Sequence, residues 1–560
     1  MSTRALTAAC IGLTILLGFL QSLAGALRPY SNPDGLSYLQ LGEAYLRGDW
    51  GAAINRYWSP LYGLVLALVL HVVRPVPRWE LPLIHAVNFG IFLLCLGGFA
   101  FFWRELVRHR LVGPRASAAG EVTFPRSAWI VLGFALFAWS SLTLVGVQRL
   151  TPDMLASALV YVLAGSLLRL YRGTHGRYHF LLFGSALGLV CLARLALLPV
   201  ALVFLAVCLA STGNRRGTLA AFGCFALLVG PLLVALSVRE GRPSFGAAAR
   251  LNYAWYVNGV PSVHWRGEPP GSGEPRHPTR QILESPPVYE FGGPVEAPYP
   301  PWYDPAWWEE GLRTRFDPKG QLGAVSRTVR DYNEWFLRKL SGAVAAVLML
   351  YGLTRGRAGW LRELASWWIL LLPALAAIAM YSLIYVEGRH IASFVALAWA
   401  ALLASVRLPA TRQARRLVSV AAGVIILVFA VNVGTLTVKN LRGFPRGPRE
   451  RPSDVAEGLH RMGVQAGDPV AFLGPAMHDA FWARLAGVDI VAEAFFRPGP
   501  EFWTDAESQR TVVDALFAAG TRAIVTENVP AGAYHGGWRR IGTTDHFLLR
   551  EVHPPGTTPR

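Results

Sequence analysis

The stretch Pro60-Leu-Tyr-Gly-Leu-Val-Leu-Ala-Leu-Val-Leu-His-Val-Val73 is almost wholly apolar yet short. A hydrocarbon core of roughly 30 Å takes about 20 helical residues to cross, so this segment reads as an interfacial or re-entrant helix. Its status decides the sidedness of every loop that follows, and the arginines arbitrate. If 60–73 does not cross and Arg4 is cytoplasmic, the cytoplasmic loops hold Arg104, Arg108, Arg110, Arg115 and Arg126, then Arg169, Arg172 and Arg177. Arg215 and Arg216 follow, then Arg355, Arg357 and Arg362, and finally Arg407, Arg412, Arg415 and Arg416. The opposite short loops hold only Arg149, Arg194 and Arg389, while the first outer loop is an exception with Arg28, Arg47, Arg56, Arg74 and Arg78. Counting 60–73 as a span inverts the asymmetry for most later loops.

Working outward, apolar runs recur near 6–27, 82–103, 128–147, 154–171, 179–193, 195–212, 218–238, 336–354, 364–385, 390–406 and 416–437. The expected fold is therefore a mostly α-helical polytopic membrane protein of about 11 transmembrane helices, its N-terminus inside. Composition agrees: over 560 residues, 53% are hydrophobic and 16% charged, against about 25% charged in soluble domains. The net charge of +18 lies mainly in short loops, which points to membrane lipids and not to nucleic acid as the partner. The five cysteines all sit in apolar segments without metal or disulfide spacing. The first apolar run reads as an uncleaved helix, since it is long for a signal peptide and further spans follow.

Residues 1–440 are expected to form the membrane domain, with outer loops 28–81 and 239–335, and 445–560 a soluble α/β domain on the outer, periplasmic side. In that last piece Asp454–Met462, His478–Leu485 and Thr511–Ala519 read as helices, and 469–473, 488–492, 522–526 and 546–552 as strands. The alternation suggests a partly parallel layered fold. Gly474-Pro475-Ala476 after the first strand is no dinucleotide fingerprint. Residues 261–311 are Pro-rich without a period and read as loop with local structure, and His264 and His277 within them as surface histidines.

Chemistry concentrates at the outer helix ends. Asp34, between Pro33 and Gly35, opens an amphipathic segment with Leu36, Leu39, Ala44 and Leu46 on one face. A carboxylate there suits a general base, although for Asp34 taken alone an N-cap is the plainer reading. Asp153, after Thr151-Pro152, repeats the pattern before a later span. Tyr385-Val-Glu-Gly-Arg-His390 sets Glu387, Arg389 and His390 in a third outer turn. Ionisable groups at membrane depth are functional candidates. Arg389 and Arg194 have the forked donors that grip a phosphate, with ion pairing or snorkelling as the plain alternatives. Tyr299-Pro-Pro-Trp302-Tyr-Asp-Pro-Ala-Trp-Trp308 offers aromatic faces that read first as a membrane-interface belt and second as a platform for a sugar ring.

At Pro33-Asp34-Gly35 with Tyr38, Tyr57-Trp-Ser-Pro-Leu-Tyr62, Thr151-Pro-Asp153 and Glu387-Gly-Arg-His390, the chain resembles GT-C-type membrane glycosyltransferases. The similarity is to bacterial relatives of protein O-mannosyltransferases and aminoarabinose transferases, over about residues 5–435. The resemblance implies transfer of a hexosyl or pentosyl group from a polyprenyl-phosphate donor to a glycan, lipid or protein acceptor at the outer face of a bacterial inner membrane. It implies Asp34 as base or acceptor-orienting carboxylate, Asp153 as its supporting acid and Arg389 as a phosphate ligand, and the residue reading adds Arg194 and Glu387 as further donor-phosphate candidates. Tyr38, Tyr57, Trp302 and Trp308 would form an acceptor or sugar platform. The chain departs from the mannosyltransferase pattern in having Gly35 where those carry a second acid, and it holds no Asp-x-Asp triplet. No cofactor is required by the implied chemistry, and a divalent metal is left open. The competing expectations are a non-catalytic envelope assembly protein and a secondary transporter with inverted repeats.

Overall fold

The computed structural model describes residues 2–27, 32–112, 121–173, 176–267, 272–277, 280–291, 297–353, 357–442, 451–530 and 537–550. Arg28, Arg115, Arg355, the Arg357 side chain and residues 551–552 of the last expected strand lie outside them.

The chain is a multi-pass helical membrane protein. Seven helices among the described residues are long and apolar enough to cross a bilayer: Thr3–Leu27, Pro77–Arg110, Arg126–Val145, Asp153–Tyr171, Leu195–Thr212, Arg215–Glu240 and Arg412–Arg442. A further pair, Gly359–Ala365 with Trp368–Ser382, is bent by 78° and makes an eighth if the two together form one span. The other expected spans are shorter apolar helices, Arg177–Ala193, Ser341–Gly352 and Gly388–Ala404. The expected eleven is reached only if these cross as well. Lipid supplies no hydrophobic drive between helices, so close contact falls to small residues. At Gly98 a Cβ would lie 2.8 Å from the Ala158 carbonyl, and at Gly165 one would lie 2.5 Å from the Phe101 ring, so Pro77–Val112 packs tightly on Asp153–Tyr171.

Pro60–Val73 is a helix with the expected bounds. It lies against the amphipathic helix Pro33–Arg47 through backbone contact: a Cβ on Gly42 would sit 2.1 Å from the Gly63 carbonyl oxygen. Leu36, Leu39 and Ala44 are buried there, whereas Leu46 is exposed.

Two sheets complete the fold. Strand β1 (Glu121–Val122) pairs antiparallel with β4 (Leu408–Pro409). The larger sheet contains β2 (Arg280–Leu283), β3 (Val288–Glu290), β5 (Pro469–Leu473), β6 (Asp489–Ala494), β7 (Ala523–Glu527), β8 (Arg539–Arg540) and β9 (His546–Arg550), in the order β2-β3-β6-β5-β7-β9-β8. Strand β5 runs parallel to β6 and β7, and the other pairs are antiparallel. Side chains alternate along β5: Val470 and Phe472 face a core with Leu459 and Trp482, while Ala471 and Leu473 face one with Val512 and Leu516. The sheet is not confined to 445–560, because β2 and β3 come from the stretch 261–311, expected to be loop with local structure.

Two contacts fasten this sheet to the membrane part. Arg484 bonds Glu43 at 2.5 Å and Glu80 at 2.6 Å. Glu493, fully buried on β6, accepts from the Tyr299 hydroxyl at 2.8 Å and the Ala476 amide at 2.7 Å, and pairs with His264. The expectation of a surface His264 is therefore corrected: only 7% of the residue is exposed, and its ring stacks on Tyr289 at 4.0 Å. A polar ring was read as exposed when a buried carboxylate, distant in sequence, satisfies it.

Candidate functional site

Asp34 lies in the first turn of Pro33–Arg47 but does not cap it. The N-cap is Asn32, whose side chain instead accepts from the Leu150 amide at 3.1 Å, tying this turn to the loop before Asp153. Asp34 is left to point elsewhere: Oδ2 accepts from Arg389 Nη1 at 3.0 Å and Oδ1 from the Trp302 indole at 3.3 Å.

Asp153 begins its helix after Pro152, and it too makes no cap. It is 2% exposed, accepts from Arg194, and faces Arg389 Nε at 3.7 Å. Arg194 is placed by a break in the chain. Helix Arg177–Ala193 ends there in an extended residue, and the next amide, of Leu195, donates to Ser59 Oγ at 2.8 Å. Ser59 belongs to the Tyr57-Trp-Ser-Pro stretch, so that motif anchors Arg194 through its backbone. The Arg194 guanidinium also lies 5.5 Å from the Tyr381 ring centre, a cation–π distance.

Arg389 stands in the first turn of Gly388–Ala404 and joins three carboxylates: Asp34, Asp153 and, at 2.8 Å, Glu387. Gly388 before it packs closely on Leu144, where a Cβ would lie 3.2 Å from the side chain. Glu387 also accepts from Arg149 at 3.0 Å and from the Tyr385 hydroxyl at 2.9 Å. Burial raises the Tyr385 phenol above its usual range, and the Glu387 charge reinforces that, so Tyr385 acts as a donor. Arg149 and Tyr385 were not among the expected site residues. The signal for Arg149 was present, because it is one of only three arginines in the short outer loops.

The aromatic residues divide. Tyr57, Trp58, Trp255 and Trp302 cluster beside Asp34, with Tyr57 4.6 Å from Trp58 and Trp302 stacked on Trp255 at 5.7 Å. Tyr38 joins them edge-on to Trp58 at 5.1 Å. Trp308 does not: it is buried against Trp307 and Phe291, on the side of the large sheet. The Trp302 and Tyr303 carbonyls accept from Ser37, Trp58 and Asn55, which pins the aromatic loop onto the first outer loop. A shallow, open cleft lies next to the Asp34 turn, between Pro33, Leu36 and Ser37 on one side and Tyr299, Trp302 and Met477 on the other.

The carboxylates of Asp34, Asp153 and Glu387 are each taken by a guanidinium, a donor set poorly suited to a divalent ion. Asp479, Glu527 and His546 present ligand atoms within 4.8 Å of one another in the large sheet region, a set of the type that holds a divalent metal.

No protein-family model matches the sequence, and no curated protein matches it. Among solved structures, the chain is similar to ArnT from Cupriavidus metallidurans bound to undecaprenyl phosphate, at 11% identity and a TM-score of 0.51, over 98% of each chain. Apo ArnT from the same organism matches over 98% of each chain at 11% identity and 0.41. The Archaeoglobus fulgidus oligosaccharyltransferase tethered with an acceptor peptide is 10% identical, over 92% of this chain and 69% of that one, at 0.46. The assignment of fold rests on the first alone. Over 98% of its length this chain shares the fold of that ArnT.

Proposed function

We propose that the protein is a glycosyltransferase that moves a sugar from a polyprenyl-phosphate-linked donor to an acceptor at the outer face of a bacterial inner membrane, with its N-terminus cytoplasmic and its large sheet periplasmic. The observation that carries this reading is the meeting of Asp34, Asp153, Arg194 and Arg389 at one helix-bundle end, beside an aromatic-walled cleft.

In this reading the acceptor enters the cleft with a hydroxyl or amine directed at Asp34. The nucleophile bonds to the anomeric carbon as the bond from that carbon to the polyprenyl phosphate breaks, inverting the centre, and Asp34 takes the nucleophile's proton. Asp153 fixes both arginines in place. A guanidinium has five N–H donors, and Arg194 and Arg389 spend only some of them on carboxylates; the rest would stabilise the departing phosphate. Tyr38, Tyr57 and Trp302 would give the sugar or acceptor an aromatic wall, and Trp302 also orients Asp34 through its indole N–H. Trp308 supports the large sheet in this scheme.

The test is transfer of radiolabelled sugar from polyprenyl-phosphate pentose and hexose donors by membranes holding wild type or Asp34→Asn at matched amounts. Loss of a general base predicts a fall of about 10²–10⁴-fold. Equal transfer by both would remove Asp34 as the base. Wild-type membranes that neither transfer from these donors nor bind undecaprenyl phosphate would overturn the reading.

A further inference from the structure

At the far end of the helix that starts with Asp153, four arginines gather on one carboxylate. Glu105 is fully buried and accepts from Arg169 at 2.9 Å, Arg108 at 3.4 Å and Arg172, with Arg104 at 3.6 Å. Arg169 lies about 24 Å along the helix from Asp153, counted at about 1.5 Å per residue, which puts the cluster at the opposite membrane face.

We propose that this cluster binds the headgroup of an anionic phospholipid. Among the described residues the four guanidiniums share a single carboxylate, so positive charge is left in excess. A second observation shows that the excess is held in place. The Phe101 ring carries two cations, Arg169 at 5.1 Å and Arg104 at 5.8 Å, which brings together like charges that would otherwise separate. Glu105, lying beneath them, cannot reach a ligand and serves to aim the forks. Arg104 and Arg108 remain half exposed, at 54% and 55%, with donors open to the headgroup layer. A guanidinium fork matches two phosphate oxygens, and a diacyl lipid would seat its phosphate there with its chains along the apolar helices.

The experiment is native mass spectrometry of the full-length protein in neutral detergent, titrated with phosphatidylglycerol or phosphatidylcholine. Wild type is expected to retain phosphatidylglycerol in preference. Arg169→Gln/Arg172→Gln should weaken it roughly thirtyfold, from about 1 kcal/mol for each basic residue near an anionic headgroup. Arg104→Gln/Arg108→Gln, an exposed pair on the other helix, should give a similar loss and serves if the first variant folds poorly. Equal retention of both lipids by wild type would overturn the proposal, as would unchanged binding in both variants. Equal loss from Arg215→Gln/Arg216→Gln would reduce it to general charge attraction, and ready displacement by inorganic phosphate would make it a soluble-anion site.

Discussion

The two ends of the helix Asp153–Tyr171 handle arginine in opposite ways. At the Asp153 end, Arg149, Arg194 and Arg389 each face a carboxylate, and Arg389 faces three. At the other end, four arginines are left to one glutamate. An unpaired charge in a buried site is costly, and on the proposed function the carboxylates would hold these arginines until a donor phosphate arrives. Positive charge at a lipid surface would need no such balance where anionic headgroups supply it.

Substitutions can break that comparison. Arg389→Met strips the shared cation from Asp34, Asp153 and Glu387. Asp153 keeps Arg194 and Glu387 keeps Arg149, so Asp34 is the one left without a guanidinium. The expected cost is about 3 kcal/mol, the low end for breaking a buried pair, read as a lower Tm in detergent together with loss of transfer. Arg484→Met cuts the sheet from Glu43 and Glu80, which are 30% and 16% exposed. The expected cost is about 1.5–3 kcal/mol, the worth of a hydrogen bond to a charged group, with limited proteolysis of the sheet rising alongside. Arg169→Met leaves Glu105 three other arginines, so its cost should stay under about 1 kcal/mol. A drop in Tm as large as that of Arg389→Met would erase the contrast between the two ends.

The smallest effect sharpens the same point at a carboxylate without a guanidinium partner. Glu309 is 2% exposed and accepts from the Trp255 indole at 2.9 and 3.0 Å. Burial raises its pKa well above the usual carboxylate range. The folded state thus holds this proton more tightly than the unfolded chain, whose Glu titrates near about 4.3. Its contribution to stability is complete below that pH and is lost as pH rises through the folded value. Glu309→Gln should flatten the fall in Tm on going from acid to neutral pH; an unchanged profile would assign the fall to other groups.

Much of this molecule was legible from local pattern. Pro60–Val73 has its expected bounds, and β5, β6, β7 and β9 lie on the expected apolar runs. Strands β2 and β3 were not legible, because they are short, flank a Pro-rich turn, and join the sheet only where β3 meets β6, about 200 residues away at Glu493. Asp34 and Asp153 each also read as helix caps. Their side chains pair instead with arginines 355 and 41 residues distant, and local capping signals carry no trace of that.

By itself, then, the sequence determined what depends on neighbours in the chain: apolar lengths, arginine asymmetry, and polar residues placed at helix ends, since bilayer thickness and headgroup charge act on each segment separately. Tertiary structure alone decided which carboxylate meets which guanidinium, that Trp302 rather than Trp308 stands beside Asp34, and that the outer loop lends two strands to the terminal sheet. Those outcomes turn on contacts of about 3 Å between remote segments, and no local periodicity encodes a distance of that kind.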